Sequence, residues 1–286
     1  MKVLIISLLI LLGSTSFNAQ SAAVFKVSKG DDVVYVGGTI HLLTDADFPL
    51  AQAYEIAFEA ADELVFETDI AAFSDPSIQA KMAPVMLQAP GVTLSSQLSA
   101  PTATALNAYL TEKGLPVAQF DMLTATGAML TLTIMEYQAQ GFRAEGVDAF
   151  YHAKGLEMGK GIAWLESVES QIALLDSFDD GNPDGLISYT LEEIDKSAGM
   201  IDKLHNAWKS GDLAALEEAG LVDMKRDFPE IYQTLMVDRN NKWMPQIEAM
   251  FGDDDTEYVL VGAAHLAGDE GVLEMLEAKG YKVERL

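Results

Sequence analysis

An α/β fold with a central, mostly parallel sheet is predicted from three observations. The first is Val33–Leu42 (VVYVGGTIHL), an apolar, β-branched run that closes on Gly-x-x-His. The second is its echo near the other end, Tyr258–Ala267 (YVLVGAAHLA). Such a run, bounded by glycine, reads as a buried strand. The third is that each run leads into a helix-patterned segment and then another short apolar run, the order of a βαβ unit. The sheet is therefore expected to be built from an N-terminal and a C-terminal βαβ unit, with the middle of the chain a helical insertion or cap.

The elements come in order. Val24–Val27 and Val33–Val36 flank Ser28-Lys29-Gly30-Asp31-Asp32, a hairpin signal. After the loop Leu43–Pro49, a helix is expected over about Leu50–Asp62, with Ala53, Ile56, Ala57 and Ala60 as its apolar stripe. Glu63–Phe66 is a short strand ending in Glu67-Thr68-Asp69. From Asp75 to Gln140 five prolines break a helical pattern into short helices, and Asp121–Gln140 reads as a long apolar helix carrying Met122, Met129 and Met135. Those methionines read as core filler before any apolar-ligand pocket. Gly141–Leu156 opens a further helix whose Asp148 suits the first turn. Lys160–Leu165 is a strand that ends in Glu166. Residues 186–251 read as helices broken at Gly211-Asp212, and Arg239 within them reads as a surface ion-pair partner. A strand over Glu257–Val261, a helix from about Asp269 to Lys279 and a last strand Tyr281–Arg285 close the chain.

Composition sets limits on function. The chain has 286 residues, about half of them hydrophobic, enough for one sizeable core. Met1-Lys2, the apolar run VLIISLLILLG and the small-residue exit STSFNAQSAA have the order of a secretory signal peptide. The apolar run falls short of the ~20 residues of a spanning helix. Residues 1–21 are thus expected to be a signal peptide and 22–286 a single domain, exported to the periplasm or the medium and free of the membrane after cleavage. With no cysteine there are no disulfides and no thiolate chemistry, so any metal site must use His, Asp and Glu. A net charge of −26 repels nucleic acid and anionic membrane.

In open parallel sheets ligands bind beyond the carboxyl ends of the strands. His41, Glu67, Glu166 and His265 are all expected at that edge. Two imidazoles with one or two carboxylates suit a borderline cation such as Zn²⁺, Mn²⁺ or Co²⁺. Water bound at an open position would become more acidic, with a second carboxylate as general base. Without metal the same set supports His–Glu acid–base chemistry. A packed, hydrogen-bonded histidine is the plain reading of each one alone; the matching contexts of His41 and His265 weigh against it. His152 and His205 lack such a context and read as structural or exposed. There is no Gly-x-Ser-x-Gly elbow, and Val36-Gly37-Gly38 lacks the features of a phosphate loop.

The chain resembles the TraB/GumN family, whose animal relatives are the Tiki proteases. The resemblance rests on Gly-Thr-Ile-His (38–41), Val-Phe-Glu-Thr-Asp (65–69), Gly-Val-Asp (146–148), Leu-Glu-Ser-Val-Glu-Ser-Gln (165–171), Arg-Asn-Asn-Lys-Trp (239–243) and Gly-Ala-Ala-His-Leu (262–266). These keep the family order over nearly the whole chain beyond residue 21. The resemblance implies one α/β domain and an active centre of His41, His265, Glu67 and Arg239. It also implies metal-dependent hydrolysis of peptides, with His41, His265 and Glu67 holding a divalent cation (Mn, Co or Zn). Glu67 is alternatively the general base, Arg239 the oxyanion or carboxylate anchor, and Glu166 the reserve carboxylate. The expectation is an exported hydrolase of peptides or small molecules. The alternative is a non-catalytic protein that sequesters a peptide or a metallo-ligand, with the two histidines as its ligands; the family also includes proteins that suppress peptide-pheromone signalling.

Overall fold

The computed structural model describes residues 22–286 apart from 144, 180 and 253. The signal peptide expected over 1–21 lies outside the described residues. Six strands form one sheet: β1 (Val24–Lys29), β2 (Asp32–Thr39), β3 (Glu63–Phe66), β4 (Gly161–Trp164), β5 (Glu257–Gly262) and β6 (Lys282–Arg285). Their spatial order is β4-β3-β5-β2-β1-β6. The β4–β3, β3–β5 and β5–β2 pairs are parallel, whereas β1 runs antiparallel to both β2 and β6. Five strands therefore share one direction, and β1 alone opposes them.

The β1–β2 hairpin closes through a two-residue turn between Lys29 and Asp32, where Gly30 takes φ 65° as such turns require. Both predicted βαβ units are present, yet neither places its strands side by side. The helix Gln52–Ala60 carries the chain from β2 to β3, but β5 inserts between these two strands. Likewise the helix Val272–Ala278 crosses from β5 over β2 and β1 to reach β6 at the edge. The reason is the composition of β5: all of Tyr258–Val261 is buried, as a strand covered on both faces must be. A central slot suits such a strand, and the more exposed β6 and β4 take the edges.

The main core packs around β2, β3 and β5 with Tyr54, Phe58, Tyr151, Trp208, Trp243 and Tyr258. A second cluster, among them Leu106, Leu110, Phe120, Leu132 and Ile187, belongs to the helical insertion. The long apolar helix spans Ala125–Ala139, shorter than expected, because Thr124 caps it by accepting from the Gly127 N–H. Met122 falls before it and is exposed, and Met135 packs against the insertion's core. The helix Pro183–Ser210 ends where Gly211 takes a left-handed φ of 63°, at the break seen in the sequence. Among the described residues no helix is long and apolar enough to cross a membrane.

Candidate functional site at the carboxyl edge of the sheet

β2 and β5 are neighbours, with Thr39 opposite Gly262, so His41 and His265 leave adjacent strands at the same end. β3 flanks β5 on its other side and delivers Glu67; β4 lies next and delivers Glu166. The Leu165 N–H donates to the Phe66 carbonyl at 2.9 Å and the Glu166 N–H to the Glu67 carbonyl at 2.8 Å, extending the pairing past the end of β4. All four residues expected at the edge are there.

Arg239 joins them from the helix Asp238–Ala249, which continues from a π-helical turn over Gln233–Val237. Such wide turns recur at functional sites. Its side chain is only 11% exposed rather than out on the surface. Nε donates to Glu166 Oε1 at 2.7 Å, Nη2 to Glu67 Oε2 at 2.5 Å, and Nη1 to His265 Nε2 at 2.9 Å. Nη1 also reaches the Leu235 carbonyl at 3.4 Å. Trp243, four residues on and on the same helical face, gives its indole N–H to Glu166 Oε1 at 2.7 Å. Glu166 is thus a fully engaged counter-ion, its Oε2 taking the Gln171 amide at 3.3 Å.

Glu67 keeps Oε1 for the Gly262 N–H at 2.7 Å. Gly262 gives that contact room: a Cβ there would crowd Glu67 Oε1 at 3.2 Å. Gly38 and Gly262 lie within strands and take no positive φ; both sit where another group comes close. Burial pushes the Glu67 carboxyl up, but the charges of His265, Arg239 and His41 and the Gly262 N–H outweigh it and hold it at about 2. Glu67 is ionised throughout the ordinary pH range.

The two histidines are held in opposite states. His265 is buried, and burial lowers its pKa to about 4 despite the nearby Glu67 charge. Its tautomer is set by its partners. A guanidinium only donates, so Nε2 must accept from Arg239, and Nδ1–H donates to Asn240 Oδ1 at 2.6 Å. Asn240 is oriented by giving its amide N–H to the carbonyls of Glu270 at 2.7 Å and His265 at 3.3 Å. His41 is exposed, and its Nδ1 meets Asp148 Oδ2 at 3.0 Å. That hydrogen bond and the carboxylate's charge raise the imidazole above its ordinary value.

Asp148 stands in the first turn of the helix Val147–Met158. Gly146 lets that turn press on the His41 loop: a Cβ would lie 2.3 Å from the Ile40 carbonyl oxygen and 2.6 Å from His41 Cα. The Val147 N–H donates to the same Ile40 carbonyl at 3.1 Å. Residue patterns assign Asp148 only to the helix dipole and give Asn240 and Trp243 no role. The one signal for all three is membership of the Gly-Val-Asp and Arg-Asn-Asn-Lys-Trp motifs. His152 and His205 are structural, as expected: His152 sets its ring edge against Phe66, and His205 bonds Asp47 at 2.9 Å.

A divalent cation places clear demands on the donor set. Both histidines have Nδ1 held by an oxygen, leaving Nε2 as the ligating atom, the arrangement of metal-bound imidazoles. With ionised Glu67 this makes an N₂O set that fits in residue type, and His265 fits in tautomer; His41, whose proton Asp148 stabilises, would have to give that proton up to ligate. Arg239 is the reservation, since it takes the lone pair of His265 and one oxygen of Glu67. Among the described residues no three such side chains stand together as a ready metal site.

A mostly parallel α/β sheet with charges gathered at its carboxyl edge defines the class of protein. The chain belongs to the TraB/PrgY/gumN family, whose match covers residues 23–285. No curated protein and no solved structure is matched by the chain.

Proposed function

We propose that this chain is an exported, divalent-cation-dependent hydrolase that cleaves peptides at the carboxyl edge of its sheet. The observation that carries the reading is the pair of histidines from adjacent parallel strands. Each has Nδ1 pinned, by Asp148 and by Asn240, with an ionised Glu67 beside them. Hydrolysis adds water across the carbon–nitrogen bond: the oxygen joins the carbonyl carbon, and the nitrogen leaves with a proton. His41, His265 and Glu67 would hold the cation, which when bound activates water and polarises the carbonyl.

The chain's own residues prepare that chemistry. Glu67, held near pKa 2, is too weak a base to take a proton at neutral pH, which favours its role as a ligand. Arg239 balances Glu67 and Glu166 and keeps His265 neutral with Nε2 as acceptor. Its fifth N–H, on Nη2, has no acceptor among the described residues and is the donor available to a substrate oxygen. A cation held at His265 would need Nε2, the atom that accepts from Arg239 Nη1 at 2.9 Å.

The test is elemental analysis of protein purified without chelators or metal-affinity resin, then a peptide-library digest with Mn²⁺, Co²⁺ or Zn²⁺. His41→Ala and His265→Ala, made separately, should each lower bound metal and abolish cleavage. If both properties survive both substitutions, the assignment fails. The sequestering alternative is favoured by the closed Arg239 contacts, and it predicts a stoichiometric complex with uncleaved ligand in mass spectrometry.

A further inference from the structure

The two outer strands of the sheet are built differently. β6 carries Lys282, Glu284 and Arg285, with Lys282 and Glu284 paired along the strand at 2.7 Å. Charge of this kind keeps other chains from pairing with an edge. β4 is Gly161-Ile162-Ala163-Trp164, with no charge and no proline, and its register with β3 runs without a bulge. The charges that flank it are turned inward. Lys160 gives its ammonium to the Ala61 carbonyl, and Glu166 is held by Arg239 and Trp243.

The hydrogen bonds of β4 define which groups this edge offers. The Gly161 N–H donates to the Asp62 carbonyl at 3.0 Å, and the Leu165 N–H to the Phe66 carbonyl at 2.9 Å. Alternate residues of a strand turn their N–H and C=O to opposite sides, so those of Ile162 and Trp164 point away from β3. Among the described residues no strand pairs with that side. Trp164 is 46% exposed. It shares a face with Ile162, which packs beneath the helix Val147–Met158: a Cβ at Gly155 would lie 3.1 Å from Ile162 Cδ1. On that helix His152 sets its ring against Phe66, the register partner of Trp164. Leu156, one turn further along the same ridge, is 59% exposed. The edge thus joins unpaired backbone groups to exposed apolar side chains.

An alternating row of N–H and C=O groups is matched by another extended backbone. A second copy of this chain fits poorly, because both copies carry a net charge of −26 and a four-residue strand is too short to bury the ~1,200 Å² of the smaller stable interfaces. The same charge favours a basic peptide. β4 also runs toward the candidate site, with Glu166 shortly past its end. A strand added there lies about 10 Å from β3, two strand spacings. About three extended residues cover that distance to Glu67.

We infer that the outer edge of β4 binds a basic, extended peptide segment as an added strand, its backbone on Ile162 and Trp164 and an apolar side chain against the Trp164 indole. That the segment belongs to a substrate on its way to Glu67 rests on the hydrolase reading. The pairing itself does not depend on cleavage.

The probe is acetyl-Lys-Val-Thr-Val-Lys-amide, compared on the full protein with two N-methylated forms, one methylated at both valines and one at the threonine. Alternate amides of a paired strand face its partner. One methylated form should therefore bind about tenfold more weakly than the parent, the worth of a lost hydrogen bond or two, and the other about equally. In amide NMR, Ile162 and Trp164 should shift and exchange more slowly with solvent once the parent peptide is bound. Trp164→Ala removes the indole and keeps the N–H; Trp164→Pro removes both, at an edge position where proline is tolerated. Both should weaken binding, the proline more, with folding checked by circular dichroism. Equal binding of all three peptides, or no protection of Ile162 and Trp164 at millimolar peptide, overturns the inference. Protection of both amides in peptide-free protein that sediments as a dimer assigns the edge to a second copy and also overturns it. Peptide cleavage without protection at β4 overturns the edge site and leaves the hydrolase reading standing. Protection without any cleavage supports the edge site and overturns the hydrolase reading alone.

Discussion

Arg239 Nη1 stands 2.9 Å from His265 Nε2, and this one contact determines how the histidine carries its proton. Because the guanidinium cannot accept, the imidazole is neutral, with its hydrogen on Nδ1 facing Asn240. The same guanidinium pairs with both Glu67 and Glu166. The centre is therefore one coupled unit, and substitutions within it will not act additively.

Removing the guanidinium leaves two carboxylates buried without a counter-ion. Arg239→Gln should cost about 3–5 kcal/mol, the usual penalty for breaking a buried ion pair. Adding Glu166→Gln should recover part of that loss, because one orphaned charge is then gone. Urea unfolding of the single and double variants measures both.

His265 links stability to pH. Its pKa falls from 6.5 to about 4 on folding, so between these values the unfolded chain binds the extra proton. Stability from this group is intact above about 6.5 and is lost as pH falls toward 4. His265→Gln should flatten the dependence of the urea midpoint over that window while lowering it at neutral pH.

Asn240 holds the Nδ1 side at 2.6 Å. Asn240→Asp places a carboxylate there, which favours the imidazolium and should move the His265 titration up from about 4. The imidazole Cε1 proton in an NMR titration reports it directly.

His41 depends on the turn that carries Asp148. Gly146→Val drives a side chain into the Ile40 carbonyl and His41 Cα. It should cost about 1–3 kcal/mol, as overpacking does, and release His41 from Asp148. The His41 imidazole, raised in the native protein, should then titrate closer to 6.5. Asp148→Asn should produce the same titration shift without the steric loss.

Much of the edge is legible in the residues alone. The Gly-x-x-His pairs, the short runs before Glu67 and Glu166, and the hairpin at Gly30 are local patterns that strands and turns require. Arg239 is legible only through a motif resemblance, because its helix is polar and an arginine there normally faces water. Asp148 satisfies a local rule, the acid in a helix's first turn, and this hides its contact with a residue 107 positions earlier. Asn240 and Trp243 act on residues that are remote in sequence, and no periodicity marks them.

By itself the sequence determined the mostly parallel α/β class, the strand ends and the residue types presented there, because periods of 2 and 3.6 and glycine punctuation are short-range properties. Tertiary structure alone decided that β5 inserts between β2 and β3 rather than lying outside them. A fully apolar strand gains most by being covered on both sides, and that gain exists only once the whole sheet assembles. It also decided the charge states of the centre. Nearby positive charge, the shared guanidinium's included, makes Glu67 strongly acidic against its burial, and burial keeps His265 neutral. Those are properties of distance and dielectric, which the order of residues does not contain.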